Sequence, residues 1–307
     1  MRREIGVVGL GKIGLGVTRR LLRAGVAVVG FDSRAEARAA AAAAGARAAS
    51  GLDDLVNRLE PPRVVWLVLP AGSAVATTID ALSTSLAAED LVVDGGNSDY
   101  RISLEHGATL GAHGVHFLDV GTSGGVHGDE HGFCLMVGGD EDQVERVRPL
   151  LEVLAPAAGR GWGRVGGRGS GHFVKMIHNG IEYGLMQAYA EGFALLDAKP
   201  DLALDPQRVA EIWRQGSVIR SWLLDLIAEA LRRPEELAGI APWVPDSGGG
   251  RWTVREAIDL GVPAPVITAS LIQRLRSREE RGFAERLLAS LRGRFGGHEV
   301  KPTGDEN

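Results

Sequence analysis

EIGVVGLGKIGLGVTRRLLRAGVAVVGFD, Glu4 to Asp32, is the stretch that decides the fold. A β-branched run from Glu4 enters the turn Gly9 to Gly14, a helical segment follows from Leu15 to Arg23, and a second strand, Ala27 to Phe31, ends at Asp32. A Gly-x-Gly-x-x-Gly turn between strand and helix lets backbone N–H groups at the helix N-terminus approach a pyrophosphate. An acid about 20 residues further on reads the adenosine ribose hydroxyls. Gly9, Leu10, Gly11, Lys12, Ile13, Gly14, Asp32, Ser33 and Arg34 are therefore the expected dinucleotide contacts. The charge of Asp32 would repel a 2′-phosphate, which favours NAD; Arg34, two residues on, leaves NADP open.

Outward from this unit the pattern repeats. Val64 to Leu69 is a continuous apolar run, as in buried parallel sheets, and opens into Pro70-Ala71-Gly72. Leu91 to Val93 opens into Asp94-Gly95-Gly96-Asn97-Ser98, and Val115 to Val120 into Gly121-Thr122-Ser123-Gly124-Gly125. Ligands of doubly wound sheets sit outside the carboxyl ends of strands. Leu69, Pro70, Ala71 and Asn97 thus join the expected cofactor contacts, and Ser123, Gly124 and Gly125 form a cradle suited to a carboxylate. Ala35 to Ala44 and Asp53 to Leu59 read as surface helices, Phe133 to Val137 as a strand and Asp142 to Leu154 as a helix. Gly159 to Gly171, with seven glycines in thirteen residues, reads as a linker. The expected architecture is α/β: a Rossmann-type doubly wound sheet over residues 1–165, then an all-α domain with a C-terminal tail over residues 166–307.

A second stretch organises the chemistry: SGHFVKMIHNGIEYGLMQAYAEGFALL, Ser170 to Leu196. At about 100° per residue, Lys175, His178, Asn179 and Glu182 share one arc, while Phe173, Val174, Ile177, Ile181, Leu185 and Ala188 take the other side. The expectation is a buried helix with one polar stripe. The chain holds 34 Lys and Arg, of which only Lys12, Lys175, Lys199 and Lys301 are lysine, so the amine among His, Asn and Glu stands out. An amine can give up its proton near neutral pH when its surroundings demand it, and a guanidinium cannot. Lys175 and Glu182 are about 10 Å apart along a helix axis, beyond a direct ion pair and suited to gripping a small molecule between them.

Beyond the helix, Pro206 to Trp213, Ser221 to Arg232 and Thr268 to Leu291 read as helical, and Asp246 to Thr253 as a flexible loop presenting Arg251. The tail Arg292 to His298 is either a frayed end or a lid over an anion. The single cysteine, Cys134, fits a reducing compartment, and a cytoplasmic setting is expected. No apolar stretch reaches membrane-spanning length, and the net charge of -5 without a basic run argues against nucleic acid. His127 to His131 lacks the order of a metal-binding helix, so no metal is expected.

These motifs together resemble the 6-phosphogluconate dehydrogenases, and in length their short-chain form. GLGKIG at Gly9, DGGNS at Asp94, TSGG at Thr122, KMIHNGIEYG at Lys175, GRWT at Gly250, GVPAPVI at Gly261 and RFGGH at Arg294 carry the resemblance. It implies oxidative decarboxylation of 6-phosphogluconate to ribulose 5-phosphate and CO2, within gluconate use and the pentose phosphate pathway. Lys175 would take the 3-hydroxyl proton and Glu182 would protonate C1. Asn97, Ser123, Gly124, Gly125, His178 and Asn179 would hold substrate, with Tyr183, Arg251, Arg274, Arg292 and His298 round its phosphate. In the family the tail closes the partner subunit's site, which implies a homodimer or homotetramer. Long NADP-dependent members resemble Asn-Arg-Thr where this chain has Asp32-Ser33-Arg34, again favouring NAD; Arg251 stands where they carry lysine. The rivals are a non-decarboxylating β-hydroxyacid dehydrogenase, which would lack the phosphate-binding cations, and an inactive NAD-binding interaction protein, which would lack Lys175, Asn179 and Glu182.

Overall fold

A computed structural model describes residues 4–302. β1 (Glu4–Val8), α1 (Lys12–Arg23), β2 (Ala27–Phe31), α2 (Ala35–Ala43) and the short β3 (Arg47–Ala48) open the chain, followed by α3 (Leu52–Asn57). Then come β4 (Val64–Leu67), α4 (Ser73–Ser85), β5 (Leu91–Asp94), α5 (Tyr100–Gly111), β6 (His116–Ser123), α6 (Gly128–His131), β7 (Cys134–Gly138), α7 (Glu141–Leu154) and β8 (Trp162–Gly166). The eight strands form one sheet in the order β3-β2-β1-β4-β5-β6-β7-β8, parallel throughout except where β6 meets β7.

Alternation along each strand sends one set of side chains to each face. Val64 and Trp66 join Val7, Val28, Val93 and Leu118 on the side of α1 and α7, and Val65 and Leu67 join Val8, Val29 and Val92 on the side of α3 and α4. Each such side chain contributes about 1.5–3 kcal/mol on burial, so the two-faced core outweighs the weak local propensity of the glycine-broken strands.

The glycine-rich stretch from Gly159 is not the linker its composition suggests. Trp162–Gly166 is β8, which pairs with β7 in parallel register from Leu135↔Trp162 to Gly138↔Gly166. An edge strand with open N–H and C=O groups takes up whatever extended backbone follows, and composition does not report that demand.

Next follow α8 (Ser170–Asp197), α9 (Pro206–Trp213), α10 (Trp222–Leu231), α11 (Pro234–Ala238), α12 (Gly249–Asp259), α13 (Pro265–Arg276) and α14 (Phe283–Gly296). The helix expected over Thr268 to Leu291 is thus two helices. Arg276 to Arg281 offers no apolar side chain to bury, and Gly282 adopts a left-handed φ of 55° before α14. The tail from Arg292 begins as the last turns of α14, exposed rather than frayed. Arg251 lies in the first turn of α12, not in a loop.

The chain divides into two compact units. One comprises residues up to Glu182 with Gly248–Val262; the other comprises Tyr183–Ser247 with the residues from Pro263 on. The chain passes from one to the other within α8. In the second unit, Ala210, Leu224 and Ala228 are buried beneath Tyr189, Phe193 and Trp213. Among the described residues, no helix is long and apolar enough to cross a membrane.

The start of α8 is fixed from β6. The Asp119 carboxylate, wholly buried, accepts the Gly169 N–H at 2.6 Å and the His172 N–H at 2.8 Å. It satisfies N–H groups that a helix start leaves unpaired, with a charge of the favourable sign. Asp119→Asn keeps the shape but turns an NH2 toward one of these donors. The expected cost is about 1–2 kcal/mol, read as a lower urea midpoint; an unchanged midpoint would show that the cap contributes nothing.

Candidate active site

The nucleotide end is built at the carboxyl edges of β1, β2 and β4. Gly9 has φ of 90°, and a Cβ there would lie 2.2 Å from the Val68 carbonyl oxygen; a Cβ at Gly14 would lie 1.8 Å from the Gly9 carbonyl oxygen. Only glycine permits this tight turn. Gly11 caps α1 with no side chain, and the first turn of α1 carries no acid, so its N–H groups remain available to an anion. At the end of β2 the Asp32 carboxylate accepts the Leu10 N–H at 2.8 Å and the Arg34 N–H at 2.9 Å, and pairs with the Arg34 guanidinium at 3.2 Å. Burial alone would push the Asp32 carboxyl up, but the Arg34 side chain and the two N–H groups together hold it below the usual carboxylate range. It is therefore ionised at any working pH. The residues fit a dinucleotide: a glycine cradle, an uncapped helix start and a fixed acid.

The neighbouring turns are shaped from beneath. Buried Asp94, at the end of β5, accepts the Gly96 N–H at 3.0 Å and the Ser98 hydroxyl at 2.9 Å, which leaves Asn97 exposed at the tip. The Thr122 hydroxyl donates to the Gly95 carbonyl at 3.0 Å, tying this turn to the loop after β6. That loop is clamped in turn by α1. Arg20 donates to the Asp129 and Glu130 carbonyls, both at 3.3 Å, and to those of Val153 and Ala155 at the end of α7, and Arg23 pairs with Asp129 at 2.7 Å. Asp129, within the His127 to His131 segment, is thus an anchor for the loop.

Lys175 sits where α8 meets β6 and β7. A Cβ at Gly121 would lie 2.3 Å from the Lys175 Cβ, and one at Gly171 would lie 2.4 Å from both the Asp119 and Met136 carbonyl oxygens. Glycines at these positions let the helix settle directly on the strands. Lys175 is only 5% exposed, whereas Ile181 and Leu185 are 53% and 48% exposed. The helix is less buried than expected: of the polar stripe Lys175 alone is covered, the His178 and Glu182 side chains being 39% and 38% exposed, and the apolar side is only half-buried at Phe173, Val174 and Ile177. Periodicity gives the stripe but not which neighbour covers it.

Within the stripe, the Lys175 Nζ is 3.2 Å from the His178 Nδ1, and the same nitrogen is 3.2 Å from the Asn179 Oδ1 and 3.7 Å from a Glu182 carboxylate oxygen. On the far side of the ring, Nε2 is 3.4 Å from the Ser123 hydroxyl. Burial pushes the Lys175 amine below its usual value, while Glu182 and Cys134 pull the other way. Desolvation does this without help from a neighbouring cation. Burial, then the Lys175 charge, push the His178 ring down as well, so the neutral imidazole is favoured.

Around Arg251, α12 is secured within the first unit. The Thr253 hydroxyl donates to the Met176 carbonyl at 2.7 Å, and Glu256 accepts from Arg101 at 2.6 Å and Tyr100 at 3.1 Å. In the second unit, the Arg274 guanidinium lies 3.6 Å over the Tyr183 ring and donates to the Pro245 carbonyl, and the Tyr183 hydroxyl is 3.3 Å from the Ser247 hydroxyl. Arg292 and His298 contact each other at 2.6 Å on the exposed end of the chain.

Residues 4–163 match the family model for the NAD binding domain of 6-phosphogluconate dehydrogenase, and residues 171–301 match that for the 6-phosphogluconate dehydrogenase C-terminal domain. The chain belongs to the 6-phosphogluconate dehydrogenase family. It is 47% identical to an NAD(+)-dependent, decarboxylating 6-phosphogluconate dehydrogenase of Haloferax volcanii, over 97% of this chain and 98% of that one. An NAD(+)-dependent, decarboxylating relative from Bacillus subtilis is 36% identical over 94% of this chain but only 65% of its own length. Among solved structures, Plasmodium falciparum 6-phosphogluconate dehydrogenase superposes with a TM-score of 0.81 at 27% identity, covering 99% of this chain and 67% of that one. The resemblance read from the motifs thus holds for the family and the fold.

Against this family background, sequence reasoning missed Asp94, Asp119, Arg20 and Asp129, which hold the site's backbone rather than face its centre. A signal existed for Asp94, an acid at a strand end before two glycines; none existed for Arg20, whose partners lie more than 100 residues away in sequence.

Proposed function

We propose that the chain oxidatively decarboxylates 6-phosphogluconate to ribulose 5-phosphate and CO2 with reduction of NAD. The observation that carries this is Lys175: an amine buried where α8 meets β6 and β7 and shifted toward its neutral form, with Glu182 reached through His178. Bound NAD supplies a hydride acceptor for C3. Gly9, Leu10, Gly11, Lys12, Ile13, Gly14, Asp32, Ser33, Arg34, Leu69, Pro70, Ala71 and Asn97 hold it. Lys175 takes the 3-hydroxyl proton as C3 is oxidised, and as an ammonium it stabilises the enolate left when CO2 departs. Glu182 then protonates C1. Ser123, Gly124, Gly125, His178, Asn179 and Asn97 position the sugar acid, and Tyr183, Arg251, Arg274, Arg292 and His298 receive its phosphate.

Residues 1–165 serve as the cofactor domain and residues 166–307 as the substrate and dimerisation domain. The exposed apolar side chains Ile181, Leu185 and Leu195 along α8 support a homodimer or homotetramer; an active monomer by light scattering would rule that out. A cytoplasmic location fits the lone, exposed Cys134.

Trapping labelled CO2 from C1-labelled substrate tests the reaction: release in step with NADH supports it, and NADH without CO2 points to a plain hydroxyacid dehydrogenase. For Asp32→Asn, the loss of a fixed charge beside a 2′-phosphate should raise NADP efficiency relative to NAD by about tenfold or more. Kinetics with both cofactors measure this, and an unmoved ratio would show that Asp32 does not read the ribose.

A further inference from the structure

The oxidative decarboxylation proposed for this chain, on which the present inference rests, leaves a proton in the wrong place. Oxidation at C3 puts a proton on Lys175, and protonation at C1 removes one from Glu182. A finished turnover therefore leaves Lys175 as an ammonium and Glu182 as a carboxylate, the reverse of what the next one requires. Overall, a sugar-acid carboxylate and NAD cation give a neutral ketose group, CO2 and NADH, with no proton released or consumed. The excess on the lysine equals the deficit on the glutamate, and the two residues stand two helical turns apart, about 10 Å along the axis.

One side chain spans that gap. His178 lies one turn after Lys175 and one turn before Glu182 on α8. Its Nδ1 is 3.2 Å from the Lys175 Nζ and 3.7 Å from the Glu182 carboxylate, within ion-pair reach of both. We propose that His178 carries the proton from Lys175 back to Glu182 through Nδ1 after each turnover. In the first step an Nζ–H bond of the ammonium breaks as an Nδ1–H bond forms, giving a neutral amine and an imidazolium. In the second, the Nδ1–H bond breaks as an O–H bond forms on Glu182, giving a neutral ring and a carboxylic acid. No oxidant, reductant or outside proton is needed.

The surroundings favour this sequence. The neutral ring can keep its Nε2 proton toward the Ser123 hydroxyl, 3.4 Å away, and present a bare Nδ1 to the lysine. Once Nδ1 is protonated, the Asn179 Oδ1 at 3.2 Å accepts from it. The charged groups facing the ring are Lys175 and Glu182; after the first step the lysine is neutral and the carboxylate remains, so the cation is drawn onward. A buried ammonium otherwise has only water as a base, and water is a poor acceptor compared with an imidazole in contact.

The test compares the first turnover with the steady state, by stopped-flow NADH absorbance at saturating 6-phosphogluconate. In His178→Ala and His178→Gln the first turnover is slower to whatever extent the ring positions substrate. The expected result is a further fall of about tenfold or more in the ratio of steady-state rate to first-turnover rate, restored in the alanine variant by added imidazole. The glutamine variant, which retains bulk and hydrogen bonding, should show the same lowered ratio. An unchanged ratio, or a lowered ratio insensitive to imidazole, overturns the relay and leaves His178 a substrate-holding residue. A parent enzyme that releases no CO2 from 6-phosphogluconate is a separate outcome; it removes the reaction itself, whatever the variants do.

Discussion

Lys175→Met is expected to lose turnover by about 10⁴-fold or more while binding NAD nearly as the parent does. General-base catalysis alone is worth about 10²–10⁴, and in the proposed mechanism Lys175 also stabilises the enolate, so its removal takes two contributions at once. The cofactor contacts proposed above lie at α1, the end of β2 and the turns after β4 and β5, and methionine leaves them untouched. The fold should respond in the opposite direction. Because burial lowers the Lys175 pKa from its usual 10.5, the unfolded chain binds that proton more readily than the folded one does. Parent stability therefore rises with pH between the lowered folded value and 10.5, and the lysine is a liability below that window. Methionine carries no such cost, so at neutral pH the variant should unfold at a higher urea concentration, with the advantage shrinking as pH approaches 10.5. Steady-state kinetics, NAD titration and urea melts at two pH values measure all three. Near-parental turnover would remove Lys175 from the chemistry, and a destabilised variant would show that its contact with His178 outweighs its desolvation.

Gly171→Ala should damage both fold and rate by a different route. The added Cβ would stand 2.4 Å from the backbone oxygens of Asp119 and Met136 and 2.9 Å from the Gly138 nitrogen. Backbone in adjoining strands cannot step aside as a flexible side chain can, so α8 must lift. Overpacking of this kind costs about 3 kcal/mol, and an ångström of displacement at Lys175 costs about 100-fold in rate. Gly192 on the same helix has nothing within 4 Å of an added Cβ. There alanine should stabilise by about 0.5–1 kcal/mol through helix propensity. Equilibrium unfolding and kcat of the pair decide the matter: a Gly171→Ala enzyme with parental stability and rate would mean the helix start is not seated as tightly as its contacts imply.

The legible part of this protein was its local periodicity and turn chemistry. Strand, glycine turn, helix and acid follow one another within 29 residues, Glu4 to Asp32, and each imposes its own residue types. Glycines that must take a positive φ or admit a backbone oxygen, and an acid at a strand end, are local requirements written where they act. The stripe Lys175, His178, Asn179 and Glu182 was legible for the same reason, since spacing of three and four residues on a helix needs no tertiary information.

What the amino-acid order determined alone was therefore the Rossmann unit, the reactive stripe and the family. Tertiary structure alone decided that Trp162–Gly166 completes the sheet, that Arg276 to Gly282 interrupts a helical run, and that Lys175 is buried while Ile181 and Leu185 are not. It also pushed the Lys175 amine toward its neutral form by burial rather than by a neighbouring cation. The physical reason is that hydrogen-bond demand at an edge strand, the side of a helix that meets a sheet, and desolvation belong to neighbours distant in sequence, whereas a turn or a helical spacing belongs to the residues that form it.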